Sequence, residues 1–276
     1  MVEARLRAKG PFSLRLTTWT DSWQADLPGG EWASARQLSD GAVLLRASSE
    51  RAVEDARFVL ALDDDTSEFH RRFPRDPLLG HSVRTLRGMR TRRTATVAHS
   101  ALRAVCGQLI QSRRAREIER AVIRRCGAPA PTSKSLARLS PAALCACGLA
   151  PSRAATLARL VRTIDLERLR GTSGDGAVWR LRRERGIGPW SVGVIALAGL
   201  GRYDHGLVGD LALVKLQAAL TGRWPEQHQT ADLLAPYDEW QGLASVFLLA
   251  GFKRGLIPGA NPDRARLARA SAYRAA

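Results

Sequence analysis

The residues of this chain best placed to do chemistry lie in two neighbouring stretches, "RGIGPWS" (Arg185–Ser191) and "LVGDLAL" (Leu207–Leu213). In the first, Gly186 can take the left-handed conformation that closes a helix, and Ile187 gives the turn an apolar anchor. Gly188 permits close approach of a partner, and Pro189 suits the first turn of a following helix, where no amide proton is needed. The result is helix–G-x-G–helix. Its free amides sit at a helix N-terminus and attract phosphate through unpaired N–H groups and the helix dipole. Such a contact positions a nucleic acid without reading its sequence. The same pattern also makes an ordinary helical hairpin with a glycine cap. In the second stretch Asp210 opens an apolar helical pattern, where the common task of an aspartate is to cap the helix.

The elements that must position these residues are mostly helices. "GAVWRLRRE" reads as a short helix with Val178 and Leu181 inward, leading into the glycine loop; "PWSVGVIALAGLG" leads out of it. Further helical patterns are "ATVAHSALRAVCGQLI", "RAREIERAVIRRCG", "SPAALCACGL", "APSRAATLARLVRTI", "DLALVKLQAAL" and "WQGLASVFLLAGF", most of them separated by Gly, Pro or Asn/Asp. Only the first part differs. "FSLRLTTW" and "AVLLRAS" have strand texture, broken by "LPGG" and "SDGA", before a serine-capped helix with Ala52, Val53, Ala56 and Val59 on one face. The expectation is an α+β chain, mainly helical: a β-rich region over 1–63, a helical domain over 64–255 and a basic, partly frayed tail over 256–276. "RTLRGMRTRRTA" (Arg84–Ala95) reads as a basic connector.

Composition narrows the partners. The 276 residues carry 43 Lys+Arg against 26 Asp+Glu, a net charge of +17 and a pI near 11.2. Such a field favours polyanions, of which nucleic acid is the commonest in a cell. Codon usage is the competing reason for an arginine-rich chain whose only lysines are Lys9, Lys134, Lys215 and Lys253. No apolar run approaches the roughly 20 residues that span a bilayer, and the N-terminus lacks a signal-like apolar core. The expected setting is therefore soluble and cytoplasmic, nucleoid-associated when bound to DNA, with no membrane partner. Cys106, Cys126, Cys145 and Cys147 contain no C-x-x-C pair, which argues against zinc or an iron–sulfur cluster. Cys106 and Cys126 read as buried thiols.

"RGIGPWSVGVIALAGLGRYDHGLVGDLAL", with "ALRAVCGQLIQSRRARE" upstream, resembles the helix-hairpin-helix (HhH-GPD) DNA glycosylase superfamily, nearest its 3-methyladenine DNA glycosylase II (AlkA-like) branch. "LALDDDTSEFHRRFPRDPLL" and "WQGLASVFLLAG" share the likeness, which runs from about residue 60 to 255. The resemblance implies a monofunctional enzyme of base-excision repair, a monomer bound to double-stranded DNA with damaged bases, hydrolysing the N-glycosidic bond of an alkylated base after flipping it out. It implies Asp210 as the catalytic carboxylate that stabilises an oxocarbenium-like sugar and assists water, at a helix start where negative charge is favoured. It implies Trp190 and Gln108 in the base pocket, Leu109 as the wedge inserted into the duplex, and Gly186, Ile187 and Gly188 as the DNA-binding hairpin. Burial between helices is the competing reading for Leu109, as core packing is for Trp190. No cofactor is required; a monovalent cation at hairpin carbonyls around Glu184 and Ile187 is the one ion the resemblance allows.

The sequence departs from that branch in two places: Val194 replaces a second aromatic one turn after the tryptophan, and Leu249 stands near a further family tryptophan, with Phe247 and Phe252 as substitutes. Strand-nicking members carry a nucleophilic lysine where this chain has Trp190. Asp204 reads as a turn former, His205 and His228 as surface residues, and Lys215 as facing solvent or a phosphate. Two other readings stand beside the first: a non-enzymatic DNA-binding hairpin protein, and a glycosylase for deaminated or oxidised bases.

Overall fold

The computed structural model describes residues 1–108, 110–172 and 175–275. Its N-terminal part is a four-stranded antiparallel sheet, β1 (Val2–Leu6), β2 (Ser22–Asp26), β3 (Trp32–Gln37) and β4 (Val43–Ala47), in the order β1-β4-β3-β2. Alternation sets which face is covered. Ala33 pairs with Ala47 and Ala35 with Leu45, all four are buried, and the residues between them turn outward. Helix α2 (Glu50–Val59) lies on that face, its N-terminus capped by Ser49 Oγ accepting from the Ala52 amide at 3.2 Å. Its buried stripe is Ala52, Val53, Ala56 and Val59, as their spacing predicts.

"FSLRLTTW" is not a strand. It folds as α1 (Leu14–Thr18) because Ser13 Oγ caps the Leu16 amide at 3.2 Å and Leu14, Thr17 and Thr18 fall on one helical face. The β-branched threonines and the alternation pointed to a strand; the serine cap and the i, i+3, i+4 burial decide otherwise.

The rest is helical: α3 (Ser67–Arg72), α4 (Gly80–Thr85), α5 (Val97–Gly107), α6 (Ser112–Cys126), α7 (Ser133–Ala137), α8 (Pro141–Ala146), α9 (Pro151–Thr163), α10 (Gly176–Arg182), α11 (Pro189–Ile195), α12 (Leu211–Thr221), α13 (Thr230–Leu234), α14 (Gln241–Lys253) and α15 (Pro262–Ala275). α11 runs on into a π-helical turn at Ala196–Leu200. The helices enclose two cores. One gathers α5 to α11, and the other α3, α4, α12 and α14. Val194 of α11 packs against both and Trp190 against the second, so the helix behind the glycine loop forms the seam between the cores. Among the described residues no helix is long and apolar enough to cross a membrane.

Two basic stretches are put to structural use. Arg90, in the connector, is 1% exposed and donates to the carbonyls of Pro11 at 2.9 Å, Lys9 and Ala61, while Arg93 reaches Gly201 O at 3.1 Å and pairs with Asp64. Arg90 and Arg93 therefore bolt the sheet to the bundle, while Arg84, Arg87 and Arg92 of the connector stay exposed. Within the C-terminal stretch, expected to be partly frayed, Pro262–Ala275 form α15. Ala265 and Ala268 pack on Ala218 and Ala219 of α12, and the Arg264 guanidinium donates to Leu220 O at 2.8 Å, satisfying a free carbonyl at the end of α12. Cys106 is buried, as expected, and burial pushes its thiol up to about 12; Cys126 is only half-buried.

One buried group gives the fold a pH dependence. His70 is 6% exposed between Phe69 and Phe247, its ring edge-on to both at 5.6 and 5.7 Å, and its Nδ1 has no partner. Burial, together with Arg87 and Arg90, lowers its pKa from 6.5 to about 4. The unfolded chain therefore binds this proton first. The contribution of His70 to stability is complete above about pH 6.5 and is lost as the pH falls towards about 4. Thermal melts at pH 7, 6 and 5 should show a decline near 1.4 kcal/mol per pH unit, an order-of-magnitude slope, which a His70→Asn variant loses.

Candidate active site

The glycine loop closes α10 as its residue types dictate. Gly186 has φ +86°, and a Cβ there would lie 2.6 Å from Thr156 Oγ1, so both conformation and space demand glycine. Ile187 is 5% exposed in the first core, Gly188 is the N-cap of α11, and Pro189 is its first residue. The amides of Gly186, Gly188, Trp190 and Ser191 have no acceptor among the described residues. These are the donors a phosphate oxygen would meet.

The loop's carbonyls are engaged from behind. Glu184 O accepts from the Ile187 amide at 3.0 Å, Arg185 O from the Arg159 guanidinium, and Gly186 O from Gln108 Nε2 at 2.8 Å. Arg159 also stands 3.9 Å from the Glu184 carboxylate. Of these three carbonyls only that of Arg185 meets a charged donor, the Arg159 guanidinium.

Asp210 caps α12: Oδ1 accepts from the Ala212 amide at 2.8 Å. Its second oxygen is free for other work, and Oδ2 accepts from the Trp190 indole Nε1 at 2.9 Å. Capping and a chemical role are therefore not alternatives here, since each takes one oxygen. The indole itself lies against the last turn of α5, where a Cβ on Gly107 would come within 2.6 Å of it. Gln108, at the end of α5, turns its amide nitrogen to the hairpin, donating to Gly186 O and, at 2.9 Å, to Ser191 Oγ. Of the residues singled out in the sequence, Gln108 is thus hydrogen-bonded to Gly186 and Trp190 to Asp210, and Gly188, as N-cap of α11, lies in the chain between the two contacts. Leu109 lies outside the described residues.

What sets the distance from α11 to Asp210 is a contact the sequence reading missed. A Cβ on Gly193 would lie 2.4 Å from Gly206 O, so the α11 backbone touches the backbone of the loop leading to Asp210. That loop is held in turn by Ser245 Oγ at the Leu207 amide, 3.1 Å, and Thr230 Oγ1 at the Gly209 amide, 2.7 Å. His205 is not a surface residue. It is half-buried and its pKa is lowered by burial, whereas His228 is exposed. Asp204 pairs with Arg202, Nε to Oδ1 at 3.0 Å, which fits a structural turn.

The sequence matches no family model and no curated protein. The architecture does have relatives among solved structures. A 3-methyladenine DNA glycosylase from Archaeoglobus fulgidus superposes with a TM-score of 0.75 at 16% identity, over 91% of this chain and 98% of that one. The fold is that of the helix-hairpin-helix DNA glycosylases. The same glycosylase fold appears in a Clostridium acetobutylicum 8-oxoguanine glycosylase/lyase bound to double-stranded DNA, with a TM-score of 0.72 at 15% identity over 92% and 98% of the two chains. A Schizosaccharomyces pombe 3-methyladenine DNA glycosylase bound to abasic DNA matches with a TM-score of 0.50 at 19% identity, over 57% of this chain and 81% of that one. The same fold thus appears in glycosylases named for different damaged bases.

Proposed function

We propose that this protein is a DNA N-glycosylase of base-excision repair that releases alkylated purines, of the 3-methyladenine and 7-methylguanine type, without cutting the strand. The observation that carries the reading is the Trp190–Asp210 contact, an indole and a carboxylate joined at 2.9 Å beside four unsatisfied hairpin amides. The glycosylase fold around them supports it.

In this reading the hairpin amides hold a backbone phosphate on the damaged strand, and the duplex yields one base, at a cost of about a few kcal/mol. An alkylated purine is cationic, and the electron-rich face of the Trp190 indole attracts it. When the glycosidic bond breaks, its electron pair goes to the base, which departs neutral. No acid is required to protonate the leaving group. The sugar takes on oxocarbenium character, which the Asp210 carboxylate stabilises. Water adds to C1′ and gives up its proton to that carboxylate. The group in contact with Asp210 is an indole N–H, which forms no Schiff base, so the amine chemistry that would nick the strand has no nucleophile there.

The test is base release from duplexes carrying 3-methyladenine, 7-methylguanine or 8-oxoguanine, with strand integrity followed before and after alkali. Release of the methylated bases, with strands cut only after alkali, supports the reading. Release of 8-oxoguanine alone, or strands cut without alkali, overturns it. The indole N–H has its own check. In Trp190→Phe the ring face remains while Asp210 Oδ2 loses its donor; single-turnover release should fall about tenfold, the rate equivalent of one hydrogen bond to a charged group, with binding of abasic DNA unchanged.

A further inference from the structure

The helix entering the hairpin carries an outward face that the mechanism above does not use. Ala177, Val178 and Leu181 of α10 are buried; opposite them, Trp179 is 56% exposed. An exposed tryptophan of this degree is uncommon on a folded surface. The Arg183 guanidinium lies 4.5 Å from its ring centroid, one turn on along the same face. Arg180, Arg182, Arg183 and Arg185 are all exposed, and none forms an ion pair among the described residues. The one acid in the stretch, Glu184, is half-buried and faces Arg159 at 3.9 Å. Seven residues therefore present four arginines without an ion pair among the described residues and one exposed indole with Arg183 against its ring, and they lead straight into the glycine loop.

We propose that Trp179 and Arg183 form a stacking platform for an unpaired nucleobase of the DNA strand whose phosphate the hairpin holds. This rests on the glycosylase reading and extends it to the DNA beside the lesion. The charge fits a polyanion, and an indole with a guanidinium on its face fits the flat surface of any base, without sequence preference. A duplex alone offers phosphates to the arginines and no free base to the indole. The platform thus selects DNA that is frayed or single-stranded next to the damage.

The experiment measures binding of the full chain to labelled DNA carrying a stable abasic analogue, either as a blunt duplex or with a single-stranded flank beginning close to the lesion. Variants are Trp179→Ala, Trp179→Phe and, as control, Trp19→Ala, which removes a second exposed tryptophan with an arginine (Arg254) at 4.2 Å, located on the sheet side. Wild type should prefer the flanked DNA. Trp179→Ala should lose about tenfold on it, the equivalent of one stacked base, and little on the blunt duplex; Trp179→Phe should recover most of the loss, and Trp19→Ala should match wild type. Equal binding by wild type and Trp179→Ala overturns the platform and leaves the hairpin reading standing. An equal loss in both alanine variants, or binding of a protein partner in place of DNA at this face, overturns it as well. Failure of wild type to bind either DNA overturns the glycosylase reading itself.

Discussion

Asp210→Asn is expected to slow base release by about 10²–10⁴-fold, the range for losing an ionised group that stabilises charge and takes a proton. The fold should not change, because asparagine caps a helix as well as aspartate does and its Oδ1 can still accept from the Ala212 amide. The second oxygen is where the change falls. In asparagine an NH₂ replaces it, so two donors face each other where Trp190 Nε1 now meets Oδ2. Single-turnover release from 7-methylguanine DNA, measured beside affinity for an abasic duplex, separates the outcomes. A large fall in rate with affinity kept assigns Asp210 to the chemistry. A rate within threefold of wild type would leave it only the cap.

Gly193→Ala is the second expected large effect, and it acts through backbone. A methyl group there meets Gly206 O at 2.4 Å, a carbonyl that cannot swing aside as a side-chain tip could. Overpacking of this kind costs about 1–3 kcal/mol, readable as a lowered melting temperature. The loss of activity should exceed what that destabilisation explains. Separating α11 from the loop that carries Asp210 moves the indole from the carboxylate, and misplacement by about 1 Å can cost on the order of 10²-fold in rate. Assayed well below its melting temperature, a Gly193→Ala protein as active as wild type would show that the contact spaces nothing of consequence.

Several parts of this arrangement were legible in the sequence because they are local. A G-x-G followed by proline encodes its own loop, and aspartate before an apolar run encodes its own cap, so Gly186, Gly188 and Asp210 could be placed from neighbours alone. What could not be read was which atoms meet across the fold. Gln108 was expected in the base pocket; its amide nitrogen is turned to the hairpin through Gly186 O and Ser191 Oγ, a contact between residues far apart in the chain. The division of Asp210 between two donors depends on the approach of α11, which a glycine permits and no pattern announces. The basic connector shows the same limit: nothing in "RTLRGMRTRRTA" shows that Arg90 is surrounded by carbonyls from elsewhere. In α1 a local signal was present and was outweighed: the cap at Ser13 was the informative residue, and the alternation after it was not.

The Arg90 guanidinium has a consequence for modularity. The carbonyls of Lys9, Pro11 and Ala61 belong to the sheet region, and the donor they converge on belongs to the chain beyond it. Dividing the chain between them would leave those carbonyls without their donor on one side and a cation without acceptors on the other, each costing about 1–3 kcal/mol. Residues 1–63 are therefore not a cassette that could be traded between hosts on its own. A recombination event that exchanged the sheet would have to carry the arginine with it.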